Sequence, residues 1–174
     1  MIEIRWHARA GQGAKTASQL YASAMLNAGK SVQAFPEYGP ERRGAPMRAY
    51  TRVDERPIRR HDSVTSPDVV VVLEASLVAD QDVAEGLVEG GVVLVNAEAP
   101  PRELRGQRVR CVPATRLASS MGSKYVNLVM VGALAAELDA PLEHLERAAI
   151  ALLGAKADAD DVRRTLEEGY TCLH

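Results

Sequence analysis

Residues Ile2 to His7 alternate apolar and polar positions, with Ile2, Ile4 and Trp6 on one face, and so predict a strand. The strand runs into Ala10-Gly11-Gln12-Gly13. Beyond it, Ala17, Leu20, Tyr21, Ala24, Met25 and Ala28 recur at helical spacing as far as Gly29, a natural terminator. Strand, glycine turn and helix open a Rossmann-like α/β unit. Ser31 to Phe35 predicts a second strand, and Met47 to Val53 alternates again as a third. The β-branched run Val69 to Leu73 has the continuous apolar character of a strand buried on both faces. A helix is expected over Leu77 to Glu89, ended by Gly90 and Gly91. Val92 to Asn96 and Arg108 to Val112 follow as strands. From Ser123 the spacing turns helical over Tyr125 to Leu138, Pro141 to Leu153 and Asp160 to Gly169. Strands alternating with helices predict a Rossmann-like, three-layer α/β fold with a mostly parallel sheet covered on both faces. Residues 1–174 show no repeat or low-complexity linker and are read as a single domain.

Composition narrows the function classes. Apolar residues make up 47%, charged residues 25% and the net charge is −2, so the basic footprint of a nucleic-acid binder is missing. Phe and Trp occur once each, too few for a base-stacking platform. Cys111 and Cys172 are the only cysteines, which cannot supply a four-thiolate iron–sulfur cluster or a structural zinc site. The four histidines are scattered without metal-ligand spacing, and His7, ending the first strand, is read as a hydrogen-bonded edge residue. No serine stands in nucleophile-elbow surroundings. The N-terminus carries no apolar signal core, and no run reaches membrane-spanning length. A cytoplasmic chain without membrane contact is therefore expected.

Two segments carry candidate chemistry. The Gly11-Gln12-Gly13 turn lies between a strand and a helix, where glycines allow a tight bend and the helix start offers unpaired N–H groups to an anion. Lys15-Thr16 evokes a phosphate loop, but Ala14 and Arg9 stand where a Walker A requires glycine, and no third glycine completes a dinucleotide fingerprint. The competing reading is a turn that serves only strand–helix packing. The second segment is FPEYGPERRGAP, Phe35 to Pro46, where prolines and glycines forbid a regular helix and hold Glu37, Glu41, Arg42 and Arg43 in a loop. In a parallel sheet, loops after successive strands emerge at the same edge. Gly11, Gln12 and Gly13 with Arg42 and Arg43 would then flank one anion crevice. An ordinary charged surface loop, with the glutamates paired to the arginines, is the alternative. Lys124 and Asn127 begin a later helix, either reaching the crevice or simply solvating the helix start.

These pieces resemble the gamma subunit, or gamma domain, of the pyruvate and 2-oxoacid:ferredoxin oxidoreductases. That family opens with a strand, a turn of the form G-R-G-G-Q-G and an alanine-rich helix, where this chain reads Ala8-Arg9-Ala10-Gly11-Gln12-Gly13. It continues into F-P-E-(F or Y)-G-P-E-R-R-G-A-P, matched without a gap from Phe35 to Pro46. Further likeness lies in Arg52-Val53, Arg56-Pro57-Ile58, Pro67 to Leu73, Val92 to Asn96 and Asn127 to Leu134. Ala8 and Ala10 replace two glycines, Glu74 stands where the family usually has Asp, and the tail after Lys156 fits loosely.

The resemblance implies a subunit inactive alone, within an enzyme that converts a 2-oxoacid and coenzyme A (CoA) to acyl-CoA and CO2 and passes electrons to ferredoxin. Thiamine diphosphate and iron–sulfur clusters would sit on alpha, beta and delta-type partner subunits, and this chain would pack on them and help to enclose CoA. A stand-alone nucleotide or acyl-CoA binding domain without redox activity is the alternative.

Overall fold

The computed structural model describes residues 1–37, 44–154 and 157–173. Among them, six strands form one sheet in the order β2-β3-β1-β4-β5-β6. The strands are β1 (Ile2–Arg9), β2 (Ser31–Glu37), β3 (Pro46–Asp54), β4 (Val69–Val72), β5 (Val92–Asn96) and β6 (Arg108–Val112). β4, β5 and β6 run parallel to β1, and β3 lies antiparallel between β1 and β2. β2 therefore points the same way as β1. The mostly parallel α/β sheet expected from the sequence is the one observed.

The first face of the sheet carries the main core. Ile4, Trp6 and Ala8 on β1, Val69 and Val71 on β4, and Val92 and Leu94 on β5 are buried against helices α1 (Ala14–Asn27), α3 (Ala114–Ser120) and α4 (Val126–Glu137). Outside these lie α5 (Leu142–Leu153), packed on α1, and α6 (Ala159–Thr171), packed on α4. Inside this core the Trp6 indole donates to Thr51 Oγ1 (3.0 Å), whose hydroxyl donates to the Ser18 carbonyl (3.1 Å), tying β1, β3 and α1 together. Local signals end the helices. Gly29 has φ 82°, its amide donates to Leu26 O and that of Lys30 to Met25 O, the paired bonds of a Schellman motif. Asp158 caps α6 by accepting from the Asp160 and Asp161 amides.

At Gly132 and Gly169, α4 and α6 approach backbone to backbone. A Cβ on Gly132 would lie 2.2 Å from the Leu166 carbonyl oxygen, and one on Gly169 would lie 2.0 Å from that of Val129. Both contacts are with backbone, which cannot swing aside.

The second face departs from the expected layer of helices. Among the described residues its apolar half (Val70, Val72, Val93, Val95) is covered by the single turn α2 (Leu77–Asp80), Val83 and Leu104. The helix expected over Leu77 to Glu89 stops at Asp80. Gln81 is extended (φ −154°), and the Arg5 guanidinium holds the irregular stretch that follows by donating to the carbonyls of Val83 (3.0 Å) and Glu85 (2.5 Å). Gly86 has φ 72°, and a Cβ there would meet Thr65 O at 2.0 Å. The other half of this face is polar yet sealed. Arg52 is 0% exposed, donates to Glu3 (2.7 Å) and Gln33 (3.3 Å), and lies 3.5 Å from Asp62. His7 is fully buried, not an edge residue, and accepts from Arg5 Nε (3.1 Å). Among the described residues its Nδ1 has no hydrogen-bond partner, and no helix is long and apolar enough to cross a membrane.

Two outcomes follow from this packing. Gly132→Ala is expected to lower stability by about 1–3 kcal/mol, the usual size of an overpacked contact, read as a thermal midpoint several degrees lower. An unchanged midpoint would show that α4 and α6 can part without cost. His7 gives a pH signature, because burial and the charges of Arg5 and Arg48 push its imidazolium down from 6.5 to about 3. The unfolded chain therefore binds the additional proton between those values. This share of stability is complete above pH 6.5 and declines as pH falls, by up to about 1.4 kcal/mol per pH unit. His7→Gln should flatten the loss of urea midpoint between pH 7 and 5; parallel profiles would contradict it.

Candidate functional site

The carboxyl ends of β1 and β4 mark the point where the chain's connections diverge. From β1 the chain passes through α1 to β2 on one side, while β4 and β5 continue on the other. Such switch points leave a crevice outside the strand ends. Here it measures about 290 Å³. Gly11, Gln12 and Gly13 form one wall, Leu73, Glu74 and Asn96 the floor, and Thr115, Lys124, Val126 and Asn127 the opposite wall.

The glycine wall is tightly organised. The Gln12 amide donates to the Arg9 carbonyl (3.1 Å), closing the turn, and its side-chain Oε1 accepts from the Arg9 amide (2.7 Å). The positive φ values fall at Gly11 (98°) and Gly13 (82°). Ala8 and Ala10 have none, so the alanines that replace two family glycines leave the turn unstrained. α1 starts directly at Gly13, with no side-chain cap and no acidic residue in its first turn. Among the described residues no side chain caps it, so its first amides are offered at the crevice end of the helix. Across the gap, Asn127 Nδ2 donates to the Gly13 carbonyl (3.4 Å). A Cβ on Gly13 would come within 2.7 Å of that nitrogen.

Gln12 also reaches the floor, its Nε2 donating to Glu74 Oε2 (2.8 Å). Burial would raise the Glu74 carboxyl, but hydrogen bonds from Gln12 and Ser76 and the nearby Arg9 charge outweigh it and hold the group below its usual value. Arg9 closes the rim by donating to Ser76 Oγ (3.1 Å) and Asp80 (2.9 Å). Asn96 donates to the Leu73 carbonyl (3.0 Å) and to Thr115 Oγ1 (2.9 Å), and accepts from the Thr115 amide (3.1 Å). Lys124 lies over the Tyr125 ring (5.2 Å) and has no carboxylate within ion-pair distance among the described residues.

Of the residues expected to bind a ligand, Gly11, Gln12 and Gly13 share this crevice, and Lys124 and Asn127 join them. Arg42 and Arg43 lie outside the described residues. The residues on either side, Glu37 and Gly44, are placed: Glu37 pairs with Arg48 at the end of β2, and the Gly44 carbonyl is 3.5 Å from Arg9 Nη1. The Ala10 amide donates to the Ala45 carbonyl (2.8 Å). Both ends of the segment thus meet the edge that holds the glycine turn. His7 is not part of the crevice. Asn96 and Thr115 do not stand out in the sequence, and Glu74 does so only as a departure from the family's usual Asp. The available signal was a polar residue directly after a buried strand, as in Val69 to Leu73 followed by Glu74. Among the described residues, no group of three or more His, Cys, Asp or Glu is placed to hold a metal.

Comparison with known proteins fits this architecture. Residues 3–172 match the family described as pyruvate ferredoxin/flavodoxin oxidoreductase. The chain is 43% identical over 179 residues to the pyruvate synthase subunit PorC of Thermotoga maritima, covering 97% of this chain and 93% of that one. It is 46% identical over 142 residues to the pyruvate/ketoisovalerate oxidoreductases common subunit gamma of Thermococcus kodakarensis, covering 78% and 77% of the two chains. The crystal structure of the pyruvate oxidoreductase subunit PORC from Thermotoga maritima superposes with a TM-score of 0.83 at 41% identity, over 97% of this chain and 94% of that one. The chain belongs to the pyruvate ferredoxin/flavodoxin oxidoreductase family, and within it to the gamma-type subunits.

Proposed function

We propose that this gamma-type subunit works in a cytoplasmic, thiamine diphosphate-dependent 2-oxoacid:ferredoxin oxidoreductase of the pyruvate type. In it, a 2-oxoacid and CoA become acyl-CoA and CO2, and electrons leave toward ferredoxin. The chain packs on alpha, beta and delta-type subunits, which carry the thiamine diphosphate and iron–sulfur clusters. Its own contribution is one wall of the CoA site. The reading rests on one observation: the switch-point crevice combines the α1 start with Lys124, and Gly44, just after the Arg42–Arg43 pair, meets Arg9 beside the glycine turn.

The donor set suits a polyanion with a polar body. The α1 amides and Lys124 suit a phosphate oxygen, and Asn96 and Thr115 offer amide and hydroxyl groups deeper in the crevice. A space of about 290 Å³ lies at the lower end of small-molecule sites and holds one part of CoA. The remainder then falls to partner subunits, consistent with a chain inactive alone. Two cysteines on separate elements, Cys111 on β6 and Cys172 after α6, leave cluster ligation to other chains.

Two measurements test this reading. Co-purification of the complex followed by 2-oxoacid-dependent dye reduction should show CoA-dependent turnover only when this chain is present. Full turnover without it would reject the subunit role, and CoA binding without any effect on turnover would favour a stand-alone binding domain. In the assembled enzyme, Arg42→Ala together with Arg43→Ala should raise the half-saturating CoA concentration about tenfold or more, the size of one lost charged hydrogen bond. Normal assembly with unchanged CoA dependence would remove the arginines from the site.

A further inference from the structure

The wall of the crevice that carries Lys124 and Asn127 is secured from behind, by α6. The Ser123 hydroxyl donates to Asp161 Oδ2 (3.2 Å) and accepts from the Tyr125 amide (3.2 Å). Thr165 Oγ1 lies 3.1 Å from Ser123 Oγ and donates to the Asp161 carbonyl (2.6 Å). Ser123 is 8% exposed and Thr165 0%, so water does not stand in for these bonds. Next to Thr165 along α6, Arg164 donates to the Met121 carbonyl (3.1 Å). The segment between α3 and α4 is thus bonded to the first turns of α6 on both sides of Gly122. Behind it, the backbones of α4 and α6 approach closely at Gly132 and Gly169.

We propose that Ser123 is a positioning residue of the crevice. Acting through the Tyr125 amide and Asp161, it sets the start of α4 so that Lys124 faces the glycine turn and Asn127 reaches the Gly13 carbonyl. This rests on the reading of the crevice as part of a CoA site. α6, which contributes no lining residue, becomes part of the binding apparatus. The consequence is selective, because the hydroxyl orients the wall without touching the ligand.

The test uses the assembled oxidoreductase, with CoA as the varied ligand and three variants. Ser123→Ala is expected to raise the half-saturating CoA concentration about two- to tenfold, the effect of one lost neutral hydrogen bond, with kcat at saturating CoA retained. Ser123→Thr, which keeps the hydroxyl, should restore CoA dependence. Asp161→Ala, at a partly exposed position, should produce a shift of the same sign and supplies the reading if Ser123→Ala does not assemble. A lower thermal midpoint or a lower kcat with unchanged CoA dependence, in whichever of the two alanine variants assembles, would overturn the proposal. Lys124→Ala separates the two levels. If it leaves CoA dependence unchanged, the crevice reading itself is wrong. If it weakens CoA while Ser123→Ala does not, only the positioning role is lost.

Discussion

The Arg5 guanidinium, sealed under two loops, replaces a layer of secondary structure on the second face of the sheet. Its donors reach the carbonyls of Val64, Val83 and Glu85, which belong to segments more than fifty residues away in the chain. A buried arginine is tolerated only when its N–H groups find acceptors, and irregular backbone supplies carbonyls that helices and strands have already used. The cation and the loops therefore require each other. Arg52 repeats the arrangement beside it, with Glu3 as the charge partner and the Phe35 ring below at 5.8 Å. His7 completes the row as a neutral group, because a third cation beside Arg5 and Arg48 in a water-free layer would be too costly.

That constraint explains which parts of the fold were legible in the sequence. Val69 to Leu73, Val92 to Asn96 and Arg108 to Val112 declared themselves as strands, since apolar or alternating runs of that length have few other uses. The start of α1 was equally clear from its glycine turn. The helix expected over Leu77 to Glu89 was not a misjudged periodicity, for Leu77, Val78 and Val83 are all buried as the spacing asked. The chain leaves the helix at Gln81 (φ −154°), and Arg5 holds the irregular stretch beyond by the Val83 and Glu85 carbonyls, a long-range contact that no local window contains. α3 went unnoticed because Ala114 to Ser120 is short and rich in serine and alanine, with an apolar stripe reduced to Ala114, Leu117 and Ala118.

The site was legible in a different way. The glycine turn announced irregular backbone at the crevice, whereas Arg42 and Arg43 of the proline-bounded loop lie outside the described residues. Glu74, Asn96 and Thr115 stayed hidden as crevice residues because each is a single polar residue whose meaning depends on strand order. Only when β4 and β5 are placed next to β1 do the residues after Leu73 and Val95 become the floor beneath Gly11 and Gly13. β3 shows itself as a strand in the alternation of Met47 to Val53; its antiparallel direction is invisible to local pattern, yet it fixes the geometry. It fills the place between β1 and β2 and brings Ala45 back against Ala10, so the loop after β2 ends where the turn after β1 begins.

The crevice is polarised. One wall brings the start of α1 and the opposite wall the Lys124 ammonium, while the floor between them brings Glu74. A free carboxylate facing an anion site would work against it, but both Glu74 oxygens are engaged, Oε2 by Gln12 and Oε1 by the Ser76 amide (3.3 Å). Gln12 thus has two tasks within one side chain. Its carbonyl oxygen holds the turn closed on the Arg9 amide, and its amide nitrogen takes up the charge of Glu74. A leucine at position 12 could fill the space and a glutamate could hold the turn, but neither could do both. The glutamine between two positive-φ glycines is therefore a requirement of the crevice as well as of the bend.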